Sequence, residues 1–213
     1  MYEWDEIYKK KDYAYYDVMK PHESMNKIID FFKENGVKRV LDLGCGTGRN
    51  SFPLLLKGFE VSGIDISTEG IKIFNDFLIK NDFKADLKVG NVFNTLPYED
   101  DSFDAIISVQ VLQHNTEKKI RFAINELKRV LKPKGFIFIT LCGRISNGKV
   151  RYCLVKTAKK IAPNTYVPTI GGEAGLTHFI YNKKRILNHY KDFKILDSWK
   201  DNKDYYCFIA QLK

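Results

Sequence analysis

The stretch that most restricts this chain is Lys38 to Asn50, Lys-Arg-Val-Leu-Asp-Leu-Gly-Cys-Gly-Thr-Gly-Arg-Asn, where an apolar run stops at glycines placed at every second residue. Val40, Leu41 and Leu43 suit the centre of a parallel sheet, where a strand is covered on both faces. Gly44, Gly46 and Gly48 let the backbone turn sharply and lie against a ligand with no Cβ in the way. The pattern predicts a buried strand, a glycine turn and a helix start, with a ligand just beyond the strand's C-terminal end, where open α/β sheets bind. The dinucleotide fingerprint needs two residues between its second and third glycines, and this chain has one. A pyrophosphate also wants backbone N–H groups at a helix N-terminus, whereas Asp42 sets a carboxylate nearby. That carboxylate suits a ligand bearing an amine or a sulfonium, and NAD is disfavoured.

Further stretches follow in order: Gly63-Ile-Asp65-Ile-Ser67, Gly90-Asn91-Val92, the run from Ser102 to His114, and Leu127-Lys-Arg-Val-Leu-Lys-Pro-Lys-Gly135, where Pro133-Lys-Gly135 predicts a turn that ends a helix before a fifth strand over Phe136 to Leu141. With the glycine turn, they resemble the ordered motifs of class I S-adenosylmethionine-dependent methyltransferases of the small-molecule type, across about residues 38 to 141. The resemblance implies an α/β, Rossmann-like fold: a seven-stranded, mostly parallel sheet with an antiparallel last strand and helices on both faces. It implies S-adenosylmethionine as cofactor, bound by Asp42, Gly44, Cys45, Gly46 and Gly48 of the first motif. Asp65 would accept hydrogen bonds from both ribose hydroxyls, although an acid here also suits the start of a helix capped by Ser67. Ile66 and Val92 would sandwich the adenine, and Val109 and Gln110 would face the cofactor at the end of the fourth strand. The family usually carries aspartate at position 91; the carbonyl of Asn91 can accept the same bond from the adenine amine. Ser108-Val-Gln-Val111 replaces the Asn/Asp-Pro-Pro-aromatic tetrapeptide of enzymes that methylate exocyclic base amines, which disfavours that chemistry.

His114 is the first ionisable residue after that strand and a candidate general base, because an unperturbed imidazole titrates near working pH; a packing or capping histidine reads equally well. His178, in Gly175-Leu-Thr-His-Phe-Ile-Tyr181, resembles the segment before the last helix in small-molecule methyltransferases and is the second candidate for handling substrate. Cys142 follows the fifth strand, where some RNA cytosine methyltransferases carry a nucleophile, but their Pro-Cys pair is absent and a small strand-end residue is the simpler reading. The sequence shows no cluster of metal ligands.

At 213 residues, the chain predicts one domain over 1–213, with an N-terminal lid at 1–21 and a substrate-side insertion at 143–177. The first segment is dense in aromatics and reads as a lid or as an amphipathic helix packed on the body. Four cysteines without Cys-x-x-Cys spacing indicate neither a disulfide framework nor a zinc site and fit a reducing cytoplasm. No secretory signal or membrane-length apolar run is present. The net charge of +9 suits RNA as a partner or, more simply, solvated lysines on helix faces. In the insertion, Lys156, Lys159 and Lys160 read as phosphate contacts or as the wet face of a short helix with Leu154, Val155, Ala158 and Ile161. The expected activity is methyl transfer to a small-molecule acceptor; the rivals are an RNA or protein acceptor and a non-catalytic S-adenosylmethionine-binding module.

Overall fold

A computed structural model describes residues 3–9, 20–146, 148–150, 157–171 and 173–213. Tyr2, Tyr13, Tyr15, Tyr16, Arg151, Cys153, Leu154, Val155, Lys156 and Gly172 lie outside the described residues. The chain runs α1 (Glu3–Lys9), α2 (Met25–Glu34), β1 (Arg39–Leu43), α3 (Ser51–Leu56), β2 (Glu60–Asp65), α4 (Thr68–Lys80), β3 (Asp86–Val89), β4 (Phe103–Val109), α5 (Glu117–Val130) and β5 (Leu131–Leu141). Short strands follow: β6 (Ile145–Ser146), β7 (Lys149–Val150), β8 (Lys159–Ala162), β9 (Thr165–Val167) and β10 (His178–Phe179). The chain closes with α6 (Lys183–His189), β11 (Phe193–Lys200) and β12 (Tyr206–Leu212).

The main sheet has seven strands in the order β11-β12-β5-β4-β1-β2-β3. Strands β3, β2, β1, β4 and β5 run parallel, and β12 is antiparallel to both β5 and β11, giving the one reversed strand the sequence predicts. Side chains alternate across it. Val40, Ala105, Ile107 and Phe138 meet α2, α3 and α4 on one face, while Leu41, Ile106, Ile137 and Ile139 meet α5 and α6 on the other. This double burial is why the strands read as unbroken apolar runs. The chain leaves β1 for β2 on one side and later places β4 on the other, so a crevice opens above the C-terminal end of β1.

Two expectations are corrected. Pro133-Lys134-Gly135 is a bulge inside β5 rather than the turn before it: Lys134 has φ 61°, and the register jumps from Phe103 opposite Leu131 to Ala105 opposite Phe136. Buried Leu131 gains a sheet partner directly after α5, which outweighs the turn signal of the Pro-Lys-Gly run. In the insertion, Lys159, Lys160 and Ile161 belong to a strand, not a helix, in a three-stranded antiparallel sheet ordered β10-β9-β8. Pro163 would break a helix, and Asn164, at φ 57°, turns the chain from β8 into β9.

The N-terminal α1 lies against the start of α4. Ser67 caps α4 by accepting from the Gly70 N–H at 3.0 Å, and its hydroxyl donates to Asp5 at 2.6 Å; Asp5 also accepts from the Glu69 N–H at 3.1 Å. Asp5→Ala is therefore expected to cost about 1 kcal/mol, the usual scale for a lost cap, and to raise amide exchange through α1 selectively, read by hydrogen-exchange mass spectrometry. No helix among the described residues is long and apolar enough to cross a membrane.

Candidate active site

At the end of β1 the backbone takes left-handed conformations at Gly44 (φ 78°), Gly46 (φ 52°) and Gly48 (φ 83°). A Cβ on Gly44 would overlap Val111, and one on Gly46 would overlap the Tyr8 hydroxyl. The N–H groups of Gly44 and Cys45 donate to the Ile64 carbonyl at 2.8 and 3.1 Å, tying the turn to β2. The next N–H, of Gly46, donates to Asp65 Oδ2 at 2.8 Å, and Ser67 N–H donates to Asp65 Oδ1 at 2.8 Å. Burial raises the Asp65 pKa, and these two N–H groups oppose the rise. Each carboxylate oxygen keeps a second lone pair, so Asp65 can accept two further hydrogen bonds.

A cavity of about 310 Å³ opens above the turn. Its walls include Gly44, Cys45, Gly46, Asp65, Ile66, Asn91, Val92, Val109, Gln110 and His114, which brings together ten of the residues singled out from the sequence. Asp42 and Gly48 are not on the wall. Asp42 lies behind the turn, 1% exposed, and accepts from the Ser51 hydroxyl at 2.6 Å. Burial, and secondarily the Asp65 carboxylate, push its pKa up to about 7 against the pull of that hydroxyl. Gly48 faces away from the cavity, toward the ring of Phe74 in α4. Asn91 Oδ1 accepts from the Phe93 N–H at 2.9 Å, an Asx turn that fixes the side chain and leaves one carbonyl lone pair for a ligand.

Toward β4 the wall changes character. Gln110 sits at φ 63°, a conformation uncommon for a residue with a side chain, while its N–H donates to Thr140 Oγ1 at 2.8 Å. The edge of Trp4 packs on His114, with ring centroids 5.3 Å apart. Burial, and secondarily the neighbouring His178, lower the His114 pKa to about 3. His178 is fully buried behind the wall, its ring centroid 4.5 Å from that of His114, with Nδ1 2.9 Å from the Leu176 carbonyl and Nε2 3.1 Å from Glu173 Oε2. Gln113 binds these segments together: Oε1 accepts from Cys142 N–H at 2.7 Å and its backbone carbonyl accepts from Phe179 N–H at 2.7 Å. Cys142 is fully buried, with its thiol 3.5 Å from the Phe179 carbonyl, as a small strand-end residue.

Sequence reasoning did not assign roles to Trp4, Tyr8, Gln113 or Glu173. The aromatic density of the first segment was the one signal for Trp4 and Tyr8; Gln113 and Glu173 carry none, because their partners are distant in the chain.

A family model described as a methyltransferase domain matches residues 40–135, the span that carries the glycine turn, Asp65, Asn91 and β4. Over this span the chain is similar to S-adenosylmethionine-dependent methyltransferases. The chain is 36% identical over 144 residues to a tRNA (carboxymethyluridine(34)-5-O)-methyltransferase of Arabidopsis thaliana, covering 64% of this chain and 33% of the relative. It is 32% identical over 135 residues to a ubiquinone biosynthesis O-methyltransferase of Pelagibacter ubique, covering 56% of this chain and 55% of the relative. The chain thus spans from a third to about half of these relatives' length. Among solved structures it is similar to an S-adenosylmethionine-dependent methyltransferase from Methanosarcina mazei, with a TM-score of 0.68 and 25% identity over 82% of this chain and 92% of that one.

The cofactor of this family is S-adenosylmethionine, and the residues present fit it. Asp65 offers two free acceptor positions at the end of β2, Ile66 and Val92 supply apolar walls beside Asn91, and the side-chain-free backbone of Gly44 and Gly46 borders the same cavity. Trp4, Tyr8, Leu176 and Thr177 complete the cavity wall from segments outside the matched span.

Proposed function

We propose that the protein transfers the methyl group of S-adenosylmethionine to a small-molecule acceptor by in-line displacement. The observation that carries this reading is the single cavity of about 310 Å³ that joins the Asp65 end to the His114 end, with Trp4 and Tyr8 of α1 on one side and Glu173 to Thr177 on the other. Such a space suits a compact acceptor held beside the cofactor.

The cofactor brings a methyl already made electrophilic by a sulfonium, so the protein's work is to orient, to exclude water and to handle a proton. Asp65 binds the ribose hydroxyls, Asn91 accepts from the adenine amine, and Ile66 and Val92 flank the ring. Cys45 borders the cofactor through the turn, and Val109 and Gln110 define the floor on which methyl and acceptor meet. The segment 1–21 acts as the lid through α1, and 143–177 contributes the acceptor side. His114 is held neutral by burial throughout the working pH range. It therefore orients the acceptor as a hydrogen-bonding imidazole and is a weak proton store, which removes the usual reason for making it a general base.

Asp42 acts across the turn by its field. With a pKa of about 7 in the free protein, it is mostly protonated below that pH, and the cationic amine of the ligand favours its ionised form. Binding is expected to release up to one proton at about pH 6, with affinity rising toward pH 7 and levelling above it. Calorimetry in two buffers of different ionisation enthalpy reads that proton directly; no difference between buffers would remove Asp42 from binding. Because the folded pKa exceeds that of the unfolded chain, the free protein should also lose stability as pH rises from about 4 to 7, and Asp42→Asn should flatten both profiles.

The acceptor class is tested with methyl-labelled S-adenosylmethionine and cell extract divided into small-molecule, RNA and protein fractions. Label in the small-molecule fraction supports the proposal. Label confined to RNA overturns it in favour of a reading that has support of its own in exposed Lys159 and Lys160 on β8 and in the similarity to a tRNA methyltransferase. Cofactor binding without label in any fraction would leave a non-catalytic binding module.

A further inference from the structure

His114, Glu173 and His178 come from three separate places, the turn after β4, the segment before β10, and β10 itself, yet a ligating atom of each lies within 4.8 Å of the other two. The hydrogen-bond pattern at His178 decides what this convergence means. A carbonyl oxygen only accepts, so the 2.9 Å contact with Leu176 requires the proton of a neutral imidazole to sit on Nδ1. That leaves a lone pair on Nε2 pointing at Glu173 Oε2, another acceptor, 3.1 Å away. Two acceptors at that distance require a cation between them, either a further proton or a metal ion.

The cluster His22, Asp201 and Cys207 shows how the chain resolves the same chemistry with a proton alone. There Nδ1 of His22 accepts from the Ser24 N–H at 3.2 Å, so Nε2 carries the proton and donates it to Asp201 at 3.1 Å. Asp201 accepts also from the N–H groups of Lys203 and Tyr205, so the network closes on itself. At His178 the roles are reversed and a third ligating side chain converges: His114 Nε2 lies 3.3 Å from the Gln113 amide nitrogen, a contact that an ion would replace, while its Nδ1 is buried beside the backbone carbonyls of Gln110 and Thr177.

We propose that His114, Glu173 and His178 bind a divalent first-row transition-metal ion of the zinc class, with an open coordination position toward the cavity. Donors at metal bond lengths of about 2.0 to 2.2 Å sit about 3 to 3.5 Å apart in a tetrahedral shell, so the His178–Glu173 edge already has ligand spacing and His114 needs to move by little more than about an ångström. Two imidazoles and a carboxylate disfavour magnesium and calcium, which take oxygen ligands. The Nδ1–H bond from His178 to a backbone carbonyl is the outer contact that commonly orients a ligating histidine. His114 and Glu173 both border the cavity, so the open position faces the space assigned to the acceptor. The fitting acceptor carries a hydroxyl: bound to the ion, its O–H breaks at lower pH and the proton passes to water, and no side chain has to act as base. The metal site stands on geometry alone; its link to the acceptor rests on the methyl-transfer reading.

Purified protein, stripped of metal with a chelator, is titrated with Co2+ while its visible d–d absorption is followed, and the bound Co2+ is then displaced with Zn2+. One equivalent of Co2+ is expected, giving bands of a four- or five-coordinate nitrogen and oxygen shell. His178→Ala and Glu173→Gln should weaken binding by roughly a hundredfold; the second variant keeps side-chain shape, and near-ultraviolet circular dichroism establishes that it is folded. Absence of stoichiometric binding, or binding that a folded Glu173→Gln leaves unchanged, overturns the site in favour of an imidazolium–carboxylate pair. Methyl transfer by a protein that binds no ion defeats this inference alone, whereas ion binding without transfer to any fraction defeats the methyl-transfer reading alone.

Discussion

Asp65→Ala is expected to weaken S-adenosylmethionine binding by about 1.5 to 3 kcal/mol, the scale of a hydrogen bond to a charged group. The carboxylate has two separable tasks. On the protein side it satisfies the N–H groups of Gly46 and Ser67, both at 2.8 Å, and so fixes the second glycine of the turn against the first residue after Ile66. On the cavity side it keeps its remaining lone pairs, which the proposed binding mode gives to the ribose. Removing it strands two N–H groups, each at a cost of about 1 to 3 kcal/mol where water cannot reach, so the alanine variant should lose stability as well as affinity. Asp65→Asn separates the tasks. Its carbonyl can still accept from Ser67, while its amide group confronts the Gly46 N–H and donates where the ribose also donates. Calorimetry on both variants, alongside chemical denaturation, is the measurement. Cofactor affinity unchanged in the asparagine variant would sink the ribose assignment whatever happens to stability.

Gly48→Ala is expected to cost about 2 to 4 kcal/mol of folding stability, combining a left-handed backbone with overpacking. At φ 83° any side chain is strained, and the added Cβ would overlap the ring of Phe74, which is fully buried and cannot step aside. The site of damage is the contact between the glycine turn and α4, not a ligand contact, because Gly48 does not border the cavity. Urea denaturation of the ligand-free protein should therefore show the whole loss. A variant as stable as the parent would mean that the turn and α4 are not packed as described. Gly46→Ala should behave differently: its Cβ meets the tip of Tyr8, so lid closure should suffer more than the core.

This division among three glycines shows where the sequence stops being informative. Their spacing predicts a sharp turn at a strand end, and the turn is there; it does not reveal that the first meets Val111, the second Tyr8 and the third Phe74, because each neighbour lies on a different element. The seven-stranded sheet was legible for a related reason. Its strands are buried on both faces, so their apolar runs are dictated locally, and Ser67 and Asn182 cap α4 and α6 through bonds spanning three residues, to the N–H groups of Gly70 and Arg185. Asp42 was legible as an acid near the ligand but not as one behind the turn, since burial of a single side chain depends on what packs over it. His114 and His178 were visible as separate candidates. Their meeting, with Glu173 between the insertion and the pocket, rests on Gln113 joining β4, β5 and β10 across 29 residues to Cys142, which no local pattern encodes. In the insertion the helical spacing up to Ile161 competes with a hairpin whose turn, at Pro163-Asn164, lies just beyond it, and in β5 sheet pairing extends past a turn signal.

The two ends of the cavity are built from different parts of the chain. Asp65, Ile66, Asn91 and Val92 fall inside the matched span of residues 40–135, whereas Trp4, Tyr8, Glu173 and Thr177 fall outside it on both sides. Substitutions in the flanking segments can therefore reshape their end of the cavity while the glycine turn, Asp65 and Asn91 stay in place, so the two ends can be altered independently.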